Sequence, residues 1–123
     1  MPHTEETIWL DDPEQHDYPA AADYLDLLWP KDAVKKVVQR LRKAPTIEKK
    51  AKDILRASQL PLLDKSNIHV KQNIDKVKKG KKLSPILLVR GMPLVIADGY
   101  HRLCAIYYLS EDLLVPCRIA DLP

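Results

Sequence analysis

The sequence predicts an α+β domain, a small mixed β-sheet with flanking helices, preceded by a helical N-terminal segment. Three observations carry this. Two short apolar runs, Ile86–Val89 and Leu94–Ala97, are continuous rather than alternating, as strands covered on both faces are. Helical periodicity surrounds them, clearest in Lys31–Lys43. The chain has 123 residues, enough for one ordinary core.

From the N-terminus, Met1 to Asp17 is polar, acidic and without period, and Asp12-Pro13 reads as a turn. An extended or poorly ordered arm, pinned by Ile8 and Trp9, is expected. Its first ten residues have neither a basic n-region nor an apolar h-region, so they do not read as a signal peptide. Pro19 suits a helix start, where a missing N–H costs nothing. Ala21, Tyr24, Leu25 and Leu28 then fall on one helical face. Pro30 separates this helix from Lys31–Lys43, whose stripe is Val34, Val37, Val38 and Leu41 and whose other faces are basic. Ala44-Pro45 ends it.

Thr46 to Leu55 fits either an edge strand or a helix start; a strand to about Lys52 is expected, followed by a turn or short helix at Asp53–Ser58. Leu60–Leu63 is an apolar loop. Asn67 caps a helix striped by Val70, Ile74 and Val77, with Lys76, Lys78 and Lys79 in its last turn and Gly80 at the C′ position. After the two apolar strands, joined by a two-residue turn at Gly91-Met92, Tyr100–Leu109 is apolar on nearly all sides and reads as a buried helix. Val115–Ile119 forms the last strand. Residues 1–43 are therefore an acidic arm and helical segment, and residues 44–123 the main domain.

Charge is unevenly distributed. Residues 1–29 hold eight acids and no Lys or Arg; residues 30–123 hold all 20 basic residues against nine acids, an excess of 11. The acidic segment can fold back over the basic body, or each can seek its own partner. No apolar run approaches the roughly 20 residues of a membrane span, and no membrane partner is expected. Cys104 and Cys117 lie in apolar surroundings and read as buried free thiols in a reducing cytoplasm, too few for a metal site of their own.

The chemistry concentrates in Asp98-Gly99-Tyr100-His101-Arg102, between a buried strand and a buried helix. Gly99 lets the backbone turn and approach a ligand closely. The first N–H groups of the following helix lack backbone partners and sit at the positive end of its dipole, which makes an anion site. Arg102 adds a planar fork for phosphate oxygens, and His101 can donate hydrogen bonds or move a proton near neutrality. A carboxylate such as Asp98 beside a phosphate orients the basic groups, holds Mg²⁺, or accepts a proton from an attacking hydroxyl. The plainer roles are helix capping for Asp98, a structural histidine at 101, and a packing wall at Tyr100.

The order helix, Gly80, Pro85-Ile86-x-x-Val89, apolar strand, Asp98–Arg102, helix, Val115-Pro116 resembles the ParB/sulfiredoxin-like superfamily, over about residues 47–120. The resemblance implies a small nucleotide-binding α/β domain that holds ATP or another nucleoside triphosphate, with its phosphates at Gly99, Tyr100, His101 and Arg102. The motif is most similar to the DGHHR form of free-serine kinases. By that likeness Asp98 and His101 are the candidate catalytic residues, and Asp98 would assist Mg²⁺ or phosphoryl transfer. Tyr100 stands where sulfiredoxin-like reductases carry their cysteine, which argues against sulfur chemistry. No helix-turn-helix region like that of partitioning proteins follows the motif. The glutamate that the serine kinases use near their first strand has no clear match; Asp53 and Asp64 are the only acids nearby. The resulting expectation is a nucleoside-triphosphate-binding protein acting as a phosphotransferase or NTP hydrolase. The alternatives are a non-catalytic nucleotide sensor or protein-interaction module, and a domain that binds nucleic acid weakly and non-specifically through its basic surface.

Overall fold

The computed structural model describes residues 8–123. The acids Glu5 and Glu6, and the rest of the arm before Ile8, lie outside the described residues. Among the described residues the fold is α+β, with five helices and a four-stranded mixed sheet. In chain order the elements are α1 (Asp17–Leu25), α2 (Lys31–Lys43), β1 (Ile47–Lys50), α3 (Ala51–Ser58), α4 (Ile68–Lys78), β2 (Ile86–Val89), β3 (Val95–Asp98), α5 (Tyr100–Leu109) and β4 (Leu114–Ala120). The strand order is β1-β4-β2-β3. β4 runs antiparallel to β1 and parallel to β2, and β2 pairs antiparallel with β3.

Every residue of β2 is buried. Because strand side chains alternate, Ile86 and Leu88 enter one core and Leu87 and Val89 the other. The first core takes Ala51 and Ile54 of α3, Val77 of α4, and Leu103 and Ile106 of α5. The second takes Tyr18, Ala21 and Leu25 of α1 with Val34, Val37 and Leu41 of α2. Helices thus cover both faces, which accounts for the unbroken apolar run. β4 obeys the same rule: Val115 and Cys117 face the first core and Ala120 the second.

The arm is pinned where expected. Ile8 and Trp9 are buried in the first core. Leu83 N–H donates to Ile8 C=O (2.7 Å), and Leu10 N–H donates to Leu83 C=O (2.8 Å), so Trp9 makes a single parallel bridge to Leu83. Residues 8–43 therefore supply two residues to the first core and the helical layer of the second.

Caps explain the helices that fall where their sequence signals lie. Asn67 Oδ1 accepts from the amides of His69 (3.0 Å) and Val70 (3.2 Å). At the other end of α4, Gly80 takes φ +75°, Gly80 N–H bonds Val77 C=O, and Lys81 N–H bonds Lys76 C=O, a Schellman close.

Three local expectations are corrected. α1 begins at Asp17 and stops at Leu25, so its buried face is Tyr18, Ala21 and Leu25, while Tyr24 and Leu28 are exposed. Bonds from Leu27 to Tyr24 and from Leu28 to Leu25 tighten the chain into a turn before Leu28 can join the helix. β1 ends at Lys50, because Ala51 and Ile54 reach the core only at helical spacing; the first amides of α3, Ala51 and Lys52, bond Leu113 and Glu111 C=O. The β2–β3 connection runs through Arg90–Leu94, and Gly91 does not take a positive φ. Arg90 N–H continues the ladder to Ala120 of β4 and Leu94 N–H bonds Ala57 of α3, which holds the turn open.

The burial of the arm has a measurable consequence. Trp9→Ala should cost about 3–5 kcal/mol, the range for deleting a large core aromatic. Urea unfolding checks this; a loss below about 1 kcal/mol would mean the arm is not part of the core.

Candidate functional site

One cavity of about 300 Å³ gathers all five residues of the Asp98–Arg102 motif. Its other walls come from Glu14, His16 and Asp17 of the N-terminal segment, His69, Asn73 and Lys76 of α4, and Lys82–Ser84 before β2.

β3 delivers the carboxylate. Asp98 pairs with Leu87 while Leu88 pairs with Ile96, so Ala97 is an extra residue in β3. Such bulges bend a strand end and redirect its last side chain. Gly99 follows at φ +112°, a conformation that a side chain disfavours. A Cβ there would lie 2.9 Å from Ile86 Cγ1 and 3.0 Å from Arg102 Nη2. α5 starts at once, with no side chain capping its first amides. The glycine is needed both for the turn and for the closeness of β2 and Arg102.

Arg102 is not a free fork. Its Nη2 donates to Asp98 Oδ2 (3.1 Å) and to Pro85 C=O (3.2 Å), and both charged side chains are mostly buried. Arg102 Nε is buried without a partner among the described residues. Asp98 thus orients Arg102, one of the roles expected for an acid at this position. Burial raises the Asp98 pKa; Arg102 opposes this, and Asp17 adds to the rise.

Asp17 is the residue that sequence reasoning missed. It is 2% exposed, and its Oδ2 accepts from Glu14 N–H (3.0 Å) and from the Ser84 hydroxyl. His16 Nε2 lies 3.3 Å from its Oδ1. The available signal was the acidic segment's expected return to the basic body. Asp12 does contact Arg118 (3.0 Å), and Arg42 donates to Gln15. Asp53 and Asp64 line no part of the cavity, and neither does Glu48 within β1. Asp53 sits by Arg56, and Asp64 accepts from Ser66.

His101 meets His69 edge-on, with ring centroids 5.0 Å apart. Burial lowers the His101 pKa, and His69 and Arg102 lower it further, which favours the neutral ring near physiological pH. Lys76 and Lys82 share this wall because the turn at Gly80 folds the chain back after α4. The Tyr100 hydroxyl donates to Pro61 C=O, and burial raises its pKa, so it closes the wall against the Leu60–Leu63 loop. Tyr108 does the same at Leu63 C=O (2.7 Å). The cavity therefore brings together three acids (Glu14, Asp17, Asp98), three cations (Lys76, Lys82, Arg102) and the imidazoles of His16, His69 and His101.

Elsewhere, part of the basic face of α2 is used internally. Arg40 binds the C=O groups of Asp121 and Leu122, and Arg42 stacks on Tyr18 at 4.3 Å. Cys104 and Cys117 are buried and unpaired; burial raises both pKa values, that of Cys117 to about 11, so neither is a thiolate nucleophile. Among the described residues, no group of three or more His, Cys, Asp or Glu side chains is arranged to hold a metal ion. No helix there is long and apolar enough to cross a membrane. Comparison with protein-family models, curated proteins and solved structures gives no match to this chain.

Two outcomes follow from the site's geometry. Gly99→Ala should destabilise the fold by about 1–3 kcal/mol through its backbone conformation alone, measured by urea unfolding; an unchanged midpoint would contradict it. The second concerns pH. The folded-state pKa of Asp98 lies above its ordinary 3.8, so the protonated carboxyl's contribution is complete below that value and is lost as pH rises through the raised one. Asp98→Asn cannot titrate, so wild type should lose stability relative to the variant between pH 3.8 and neutrality. Thermal melts of both proteins across that range read the difference, and a constant offset would refute the assignment.

Proposed function

We propose that this chain is a ParB/sulfiredoxin-like protein that binds a nucleoside triphosphate in the Asp98–Arg102 cavity and transfers or hydrolyses its terminal phosphoryl group. The observation that carries the proposal is the uncapped start of α5, brought by Gly99 against a buried arginine in a cavity shared with Lys76 and Lys82. The amides of the first turn and Arg102 would take phosphate oxygens. Lys76, Lys82 and neutral His101 would add donors around the same charge, which spreads over the transferred group as reaction proceeds. Asp98 has one carboxylate oxygen tied to Arg102. Its other oxygen fits Mg²⁺, an ion that commonly takes one or two carboxylates and completes its shell with phosphate and water. Bound there, Mg²⁺ would neutralise phosphate charge. Two unpaired buried thiols suit a reducing compartment, in keeping with a cytoplasmic location.

A second reading, a nucleotide sensor without turnover, is supported by the closure of Arg102 onto Asp98 and Pro85. In that case the cradle binds and the carboxylate only orients the arginine.

Titration calorimetry with ATP and with CTP, each with and without Mg²⁺, tests both. Arg102→Ala should weaken binding by about tenfold or more, the value of a charge-assisted hydrogen bond. Absence of binding by either nucleotide at millimolar concentration sinks both readings. Under the catalytic one, Asp98→Asn abolishes phosphate release even at saturating nucleotide; under the sensor reading, the wild type releases none.

A further inference from the structure

The outer side of α1 and α2 carries a groove of about 500 Å³, separate from the Asp98 cavity and sharing no residue with it. Ala22 and Val38 are among the apolar side chains that line it. Asp23 and Asp26 stand on the α1 side, Lys31 and Lys35 on the α2 side. All four are exposed, and among the described residues none has an opposite charge within 4.0 Å. The monomer therefore presents an acidic row and a basic row with an apolar strip between them, unmatched. Apolar surface continues at the α1–α2 corner, where Tyr24 is 44%, Leu27 81% and Leu28 46% exposed. Adjacent exposed side chains of this size mark a contact surface.

This pattern is complementary to itself. A twofold axis along the groove lays the acidic row of one copy against the basic row of the other, and strip against strip. An axis across the groove would set like charges together, so the charges select one arrangement. We infer that the chain forms a twofold homodimer through the α1–α2 face, with a second copy of itself as the occupant of the groove.

Sedimentation equilibrium of the full chain up to millimolar concentration tests this. Wild type should approach twice its 14.1 kDa mass. Lys35→Glu, an exposed change, should weaken the dimer by about tenfold or more, because the symmetry repeats each lost pair. Adding Asp23→Lys, Asp26→Lys and Lys31→Glu to it should restore association, since the rows are then exchanged but still complementary. Circular dichroism verifies that each variant is folded. A wild type that stays monomeric at millimolar concentration overturns the inference, as does a folded Lys35→Glu variant that dimerises as tightly as wild type.

Discussion

A strand with no exposed side must be covered twice, and β2 is such a strand. Its four side chains are shared between two cores, so neither helical layer is optional. One layer, α1 and α2, comes from the N-terminal third of the chain. The other, α3 to α5, comes from residues 51–109 and carries the motif helix. Covering both faces also draws the start of α1 to the end of the sheet where β3 stops. That is why Asp17, remote in sequence, faces Asp98.

The cavity inherits its electrical character from this arrangement. Acids arrive from the arm and from β3, and bases from α4, α5 and the turn after Gly80. Asp98 sits at the seam, desolvated by the core, held by Arg102 and opposed by Asp17. An ionised carboxylate there is costly without a cation nearby, which fits a residue that meets phosphate-bound metal or an arginine. His101, kept neutral, keeps one ring nitrogen as an acceptor.

Much of this was legible from the residues. α2 and α4 were readable because each carries an apolar stripe and an explicit boundary, Pro30 and Ala44-Pro45 for one, Asn67 and Gly80 for the other. β2, β3 and α5 were readable because burial on all sides leaves unbroken apolar runs. The motif's five residues line one cavity because they are contiguous and turn on one glycine. What was not legible depended on distant partners. Tyr18, not Tyr24, faces inward because Arg118 Nη1 reaches its hydroxyl (3.0 Å) and the sheet lies on that side. The β2–β3 turn opened because Arg90 and Leu94 found carbonyls on β4 and α3. Asp17 looked like one more acid in a polar arm; only the fold gives it Ser84 and Asp98 as neighbours.

The sheet order places β4, the last strand in the sequence, between β1 and β2. β1 pairs with β4 alone, so it has no partner until residues 114–120 have left the ribosome. Arg118 on that strand also binds the C=O groups of Leu41 and Arg42, the hydroxyl of Tyr18 and the carboxylate of Asp12. β4 is thus a keystone for segments made long before it. Until it arrives, α1 and α2 have no complete surface to dock on, and a nascent chain carries exposed apolar helix faces while residues 26–113, between α1 and β4, are made.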